Sequence, residues 1–158
     1  MPLYIVEELK CGTRKIDCMS ELVLKETLRD HQLRNTQCRA DILSIFYDND
    51  FAMSHADIED KVSDHYDRVT VYRTLKTFLD KGLIHKVLDD NGSQKYALCK
   101  DDCTEQLHKH EHVHFKCVTC GLTTCLDDSD IPGIKLPAGY ELIDVNMLVT
   151  GYCKECRQ

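Results

Sequence analysis

The chain has no tryptophan and only three prolines and seven glycines among 158 residues. It also lacks any low-complexity tract. Repetitive and disordered classes are therefore excluded, and 42% apolar against 30% charged residues leaves material for a packed core. No stretch approaches the ~20 consecutive apolar residues of a bilayer span. The opening MPLYIVEELK carries neither the basic region nor the apolar segment of a secretory signal. A cytoplasmic protein with no membrane partner is expected. Positive charge is scarce as well: 20 basic residues face 27 acidic ones, a net charge of −7, with most of the excess after Leu88. Indiscriminate nucleic-acid binding is excluded, so any DNA contact must be local. Glycine-rich phosphate loops, the G-x-S-x-G elbow and the H-x-E triplet of zinc deaminases are absent. The length excludes a large multidomain enzyme, and no small-molecule substrate is implied.

The first half carries helical periodicity. Residues 1–18 form an N-terminal extension without a clear period, after which Met19-Ser20 opens a helix with Ser20 as cap and Leu24 and Leu28 stacked four apart. Thr36 caps a second helix that buries Ile42, Leu43, Phe46 and Tyr47 on one side. Ser54 with Asp57 resembles a capping box opening a short third helix with Ile58 and Val62 inside. A turn at residues 64–67 leads to RVTVYRTLKTFLDKG, where Val71, Leu75, Phe78 and Leu79 recur at helical spacing and Gly82 supplies the stop. LIHKVLDD, NGS and QKYAL then read as two strands joined by an Asn-Gly turn. Two helices joined by a short turn and followed by a hairpin make a winged helix-turn-helix.

The second half consists of short β-like runs separated by turn residues. The division expected is an N-terminal winged-helix DNA-binding domain over residues 19–90, a hinge over 91–103, and a small α/β dimerisation and metal-binding domain over 104–158. The fold class is α+β.

Ten cysteines and eight histidines are the informative excess. In a reducing compartment, paired cysteines at short spacing indicate metal ligands rather than disulfides. Cys117 with Cys120 and Cys153 with Cys156 form two Cys-x-x-Cys knuckles, enough to complete one tetrahedral thiolate site for structural Zn2+. A redox pair would need no second knuckle. The run from His108 to His114 places His110, His112 and His114 at alternate positions, so on a strand they share a face. A second divalent ion can take two or three of them, with Cys125, Cys99 and Cys103 as candidate further ligands; a solvated histidine run is the bland alternative. His110-Glu111-His112-Val113-His114 also spells H-E-x-x-H, the zinc-peptidase motif. That motif requires a helix, whereas Val113 and Phe115 suit a strand. On the helix after Asp67, Thr70, Arg73 and Thr77 lie opposite the apolar stripe with Tyr72 at its margin. Arginine reads guanine, and tyrosine and threonine contact phosphates or thymine methyls.

Taken in order, Thr70-Val71-Tyr72-Arg73, His112 and His114 before Cys117, and Gly151-Tyr152-Cys153 resemble the ferric uptake regulator family of metal-sensing repressors, over about residues 20–158. The resemblance implies a homodimer that represses metal-homeostasis genes through an AT-rich inverted repeat, with Tyr72 and Arg73 on the DNA. Arg34 matches the basic position that reaches into the minor groove, and Cys38 replaces a proline often found nearby. Two usual ligands are missing: the family's histidine before the third helix aligns with Ala52, and its glutamate beyond the wing aligns with Ala97. His55 is a candidate substitute. Cys125 stands where the family usually has a carboxylate. The regulatory site implied is His112, His114 and Cys125, with Cys99, Cys103 and His110 competing for the fourth position. A thiolate there favours Zn2+ over Fe2+ or Mn2+. Iron- or manganese-dependent repressors and peroxide or thiol sensors are the alternatives within the family; a zinc peptidase using His110, Glu111 and His114 is the alternative outside it.

Overall fold

The computed structural model describes residues 18–62, 64–90, 92–99, 112–130, 133–143 and 145–157, with residues 18–20, 112, 127, 128 and 130 described in their backbone only. Four helices come first: α1 (Cys18–Asp30), α2 (Gln37–Tyr47), α3 (His55–Val62) and α4 (Arg68–Asp80). α1 begins ahead of Ser20, which therefore stands inside the first turn instead of capping it. The other starts follow capping chemistry. The Thr36 hydroxyl accepts from the Arg39 amide, and Asp67 accepts from the Thr70 amide at 2.9 Å. Ser54 and Asp57 exchange bonds reciprocally, the Ser54 amide to the Asp57 carboxylate at 2.8 Å and the Asp57 amide to the Ser54 hydroxyl at 3.2 Å. Gly82, at φ 70°, ends α4 in the left-handed region that glycine enters without steric cost.

Leu24, Leu28, Ile42, Leu43, Phe46, Ile58, Val71, Leu75 and Phe78 close into one core. Truncating a fully buried member such as Phe78 to alanine should cost about 3–5 kcal/mol. Burial of this stripe fixes which side of α4 is left outside.

β1 (Met53–Ser54), β2 (Ile84–Leu88) and β3 (Gln94–Leu98) form an antiparallel sheet in the order β1-β3-β2. Its hairpin turns tightly, the Asp89 amide donating to the Ser93 carbonyl at 3.0 Å and the Gly92 amide to the Asp89 carbonyl at 2.9 Å. β3 lies within the span expected as a hinge: residues 94–98 are the second strand of the wing, because pairing with β2 satisfies backbone groups that a linker would leave to water.

The second sheet has the order β5-β4-β6, from β4 (His112–Cys117), β5 (Thr123–Asp130) and β6 (Met147–Gly151). β4 is central, antiparallel to β5 with His114 opposite Cys125, and parallel to β6 with Cys117 opposite Gly151. Phe115 lies so close to Gly151 that an added Cβ would stand 3.1 Å from its ring. The two sheets meet edge to face: the Ala52 amide donates to the Thr123 carbonyl at 2.7 Å. Together the elements give an α+β chain, with the four helices and their wing first and, among the described residues, a three-stranded sheet after them.

Candidate metal centres and nucleic-acid interface

The parallel pairing of β4 and β6 is what joins the two knuckles. It sets Cys117 beside Gly151, and the Val118 amide donates to the Gly151 carbonyl at 2.9 Å. Cys153 follows two residues later. The Sγ atoms of Cys117, Cys120, Cys153 and Cys156 all lie within 4.8 Å of one another, with Cys120 to Cys153 at 4.0 Å. Four sulfurs at about 2.3 Å from a tetrahedral zinc stand roughly 3.8 Å apart, so the donor set fits Zn2+. Gly121, at φ 72°, turns the chain back after the first knuckle. Backbone amides of Cys120 and Cys153 hold the Cys117 thiol down to about 6, whereas hydrogen bonding to Cys153 and burial push Cys156 up to about 12. One thiolate forms readily and its neighbour resists. A dication is the natural way to hold all four as thiolates.

The second cluster joins the two sheets. His114 Nε2 lies 3.3 Å from His85 Nε2, and Cys125 Sγ lies 3.4 Å from the same nitrogen. His85 and His114 are both buried. Two imidazole nitrogens on a tetrahedral zinc stand about 3.3 Å apart, and a nitrogen and a sulfur about 3.6 Å apart. Two of the three donor pairs therefore stand close to the edge lengths of a zinc tetrahedron, and all three donors lie within 4.8 Å of one another. Cys99 Sγ is 3.5 Å from Nδ1 of His85, on the far side of the ring. A cavity of about 890 Å³ between α4, the wing and Ile143, Val145 and Asn146 borders His85 and His114.

Among the expected regulatory residues, His114 and Cys125 converge and Cys99 touches the cluster. The side chain of His112, together with His110 and Cys103, lies outside the described residues. The β4–β5 register shifts between His112, paired with Asp130, and Val113, paired with Leu126, so the extra residues of this irregularity, 127–129, lie on β5. His85, from β2, is the candidate ligand that the sequence reading missed. Its signal was a histidine at a buried strand position, which on sequence alone reads as core. Ala52 and Ala97, with Val87, form a small apolar floor against which Cys125 packs. His55 lies apart from the cluster: its Nδ1 is 3.4 Å from the Glu59 carboxylate and its ring is 6.3 Å from that of Tyr72. Nothing supports the peptidase reading: His112 to His114, the last three residues of the H-E-x-x-H string, lie in a strand where that motif requires a helix, and His110 and Glu111 lie outside the described residues.

On α4, Tyr72 and Arg73 are exposed, with Tyr72 at 56% of its surface. The Thr70 hydroxyl donates to the Asp67 carboxylate at 2.9 Å, so its proton serves the helix start while its lone pairs and methyl remain available. Arg34 is exposed between α1 and α2, its carbonyl accepting from the Arg39 guanidinium at 2.9 Å. All four stand on the winged-helix unit.

A family model described as the ferric uptake regulator family matches residues 30–149. A ferric uptake regulation protein of Staphylococcus epidermidis is 33% identical over 135 residues, covering 83% of this chain and 92% of that protein. One from Staphylococcus aureus is 31% identical over 134 residues, covering 82% and 93%. Among solved structures, a zinc uptake regulator complexed with zinc and DNA aligns with a TM-score of 0.61 at 20% identity, over 87% of this chain and 94% of that one. The Vibrio cholerae ferric uptake regulator aligns at 0.54 and 20% identity, over 82% and 98%. The chain belongs to the ferric uptake regulator family, whose members are metal-responsive transcription regulators.

Proposed function

We propose that the chain is a zinc-responsive repressor of metal-homeostasis genes, acting as a homodimer on an AT-rich inverted repeat. The observation that carries this reading is the His85, His114 and Cys125 cluster, whose donors come from the wing and from the C-terminal sheet. None of the three donors is an oxygen. Nitrogen and sulfur suit zinc better than manganese or iron(II) in the usual imidazole and carboxylate sites. The four-cysteine site is read as structural zinc, and Cys99, at Nδ1 of His85, as a holder of that ring and not as the fourth ligand. The zinc uptake regulator that shares the fold was solved with zinc and DNA, which supports the same assignment.

Bound zinc supplies a dication that holds neutral imidazole and thiolate together. His85 brings the wing, and with it the position of α4; His114 and Cys125 bring the C-terminal sheet. Tyr72 and Arg73 on α4 then meet base edges and phosphates, and Arg34 meets the minor groove. The homodimer is supported by apolar side chains exposed on the C-terminal unit: Leu136, Tyr140, Leu142, Ile143 and Tyr152. Two copies set α4 of each at successive half-sites. Linkage requires that zinc favour the DNA-competent arrangement, and each tenfold preference is worth about 1.4 kcal/mol.

The test is a titration of fluorescent duplexes carrying AT-rich inverted repeats, with protein that retains the four-cysteine metal, with and without added zinc. Zinc should tighten binding at least tenfold. Equal affinity in both conditions sinks the zinc-corepressor reading, and tightening by manganese or iron(II) alone transfers it to those metals. The flanking of His85 by Cys125 and Cys99 favours a thiol-sensing second reading. It predicts that peroxide releases DNA from the zinc-loaded protein.

A further inference from the structure

β2 and β4 are tied at two places. The first is the histidine pair already described. The second is Lys116, two residues beyond His114 and therefore on the same face of β4. Its ammonium donates to Asp89 at 2.6 Å and also to Asp90, both just beyond the end of β2. The Lys116 and Asp89 side chains are only 14% and 8% exposed. Asp89 is itself held: its other oxygen pairs with Lys95 of β3 at 3.4 Å, and the wing turn fixes its backbone through Ser93 and Gly92. Lys95 also reaches the Thr123 hydroxyl at 3.4 Å. Thr123 is fully buried and accepts the Ala52 amide. The ion pairs and this backbone bond thus run across the same seam between the wing and the C-terminal sheet as the histidine pair.

We propose that Lys116 is a positioning residue, a metal-independent latch that closes on Asp89 and Asp90 and presets the approach of His85 to His114. One tie between two strands leaves them free to pivot about it. Two ties fix their separation and angle together. With the latch closed, His85 Nε2 and His114 Nε2 already stand 3.3 Å apart, and zinc need not gather its ligands from two independently moving units. If the ligand-ready arrangement falls to about a tenth of the population, apparent zinc affinity falls about tenfold. Removing Lys116 also leaves Asp89 with Lys95 and takes from Asp90 the cation it pairs with, which sets two adjacent carboxylates against the acidic C-terminal half.

The proposal rests on the sensor reading for the use to which the preset distance is put. The experiment therefore has two readouts, one of which involves neither zinc nor DNA. Amide exchange at Ala52 reports the seam directly in the full-length protein. Competitive chelator titration with zinc alone, on protein that keeps the four-cysteine metal, reports the second site. Lys116→Gln should raise Ala52 exchange at least tenfold and weaken the second zinc by about the same factor. Lys116→Arg, which keeps the cation, should retain both. Because Lys116 adjoins Cys117, Asp89→Asn tests the tie from the wing, away from the knuckle, and should reproduce both effects. Unchanged Ala52 exchange in Asp89→Asn overturns the latch, and so does raised exchange with second-site affinity within twofold of the parent. If the parent itself takes no second zinc, the sensor reading fails, and Ala52 exchange still decides whether the latch exists.

Discussion

The two metal-capable clusters, four thiols in one and two imidazoles with a thiol in the other, differ in where their donors come from. The four cysteines sit on one sheet, in two knuckles whose internal spacing is fixed by sequence, and the β4–β6 pairing closes them. The other cluster takes His85 from the wing and His114 and Cys125 from the second sheet, which no local geometry holds together. In the proposed reading the first would be a staple within a unit, its metal energy folding energy. The second would be a clasp between units, its metal energy available to move one against the other. On that reading, position in the architecture is what would separate a structural site from a regulatory one.

The largest way to break this contrast is Cys117→Ser. It should remove one zinc per chain, counted by native mass spectrometry, and strip β4–β6 amides of exchange protection, since apparent zinc binding energies in such sites are about 10–16 kcal/mol. A folded sheet that keeps its protection would show that the staple is dispensable. His85→Ala should leave the staple and the helices intact, weaken the second zinc about 100-fold, roughly 2.7 kcal/mol, and reduce operator affinity with zinc to the zinc-free level. Arg73→Ala should weaken operator binding by about 1–3 kcal/mol while both zincs remain.

Subtler changes sharpen the comparison. Cys125→Asp should shift the second site toward manganese or iron(II) by about tenfold relative to zinc, measured by competition, and leave the four-cysteine site unchanged. The smallest expected effect is that of pH on the latch. Hydrogen bonding to Lys116 holds Asp89 below the usual carboxylate range, and the same pair pushes Lys116 up. A depressed carboxylate contributes stability above its unfolded value and loses it as pH falls through the folded one. A raised lysine contributes below its unfolded value and loses it as pH rises through the folded one. The latch should therefore be flat from about pH 4 to 10, read as Ala52 exchange corrected for intrinsic rate.

The helices were legible because caps and apolar spacing act within a few residues. Thr36, Asp57 and Gly82 each do locally what their chemistry dictates, and Val71, Leu75 and Phe78 are buried as their period requires. Cys117, Cys120, Cys153 and Cys156 were legible for the same reason, two at a time. His114 and Cys125 could be named because they flank a knuckle on neighbouring strands. His85 could not: its sequence environment, Ile84 before and Val87 after, is that of an ordinary buried strand. The hairpin of residues 84–88 and 94–98 was legible from its Asn-Gly turn, so the expected hinge span overlapped a strand that local signals had already marked.

By itself the sequence determined the winged helix, the exposed side of α4, and the pair of knuckles that need one metal. Each depends on contacts within a few residues or on a spacing that forces its own geometry. Only the tertiary structure decided that His85 meets His114 across 29 positions of chain, that Ala52 and Ala97 make a dry floor beside Cys125, and that Lys116 closes on Asp89. Those meetings depend on how two sheets seat against one another. Seating is set by the summed burial and pairing of both faces, which no single residue announces.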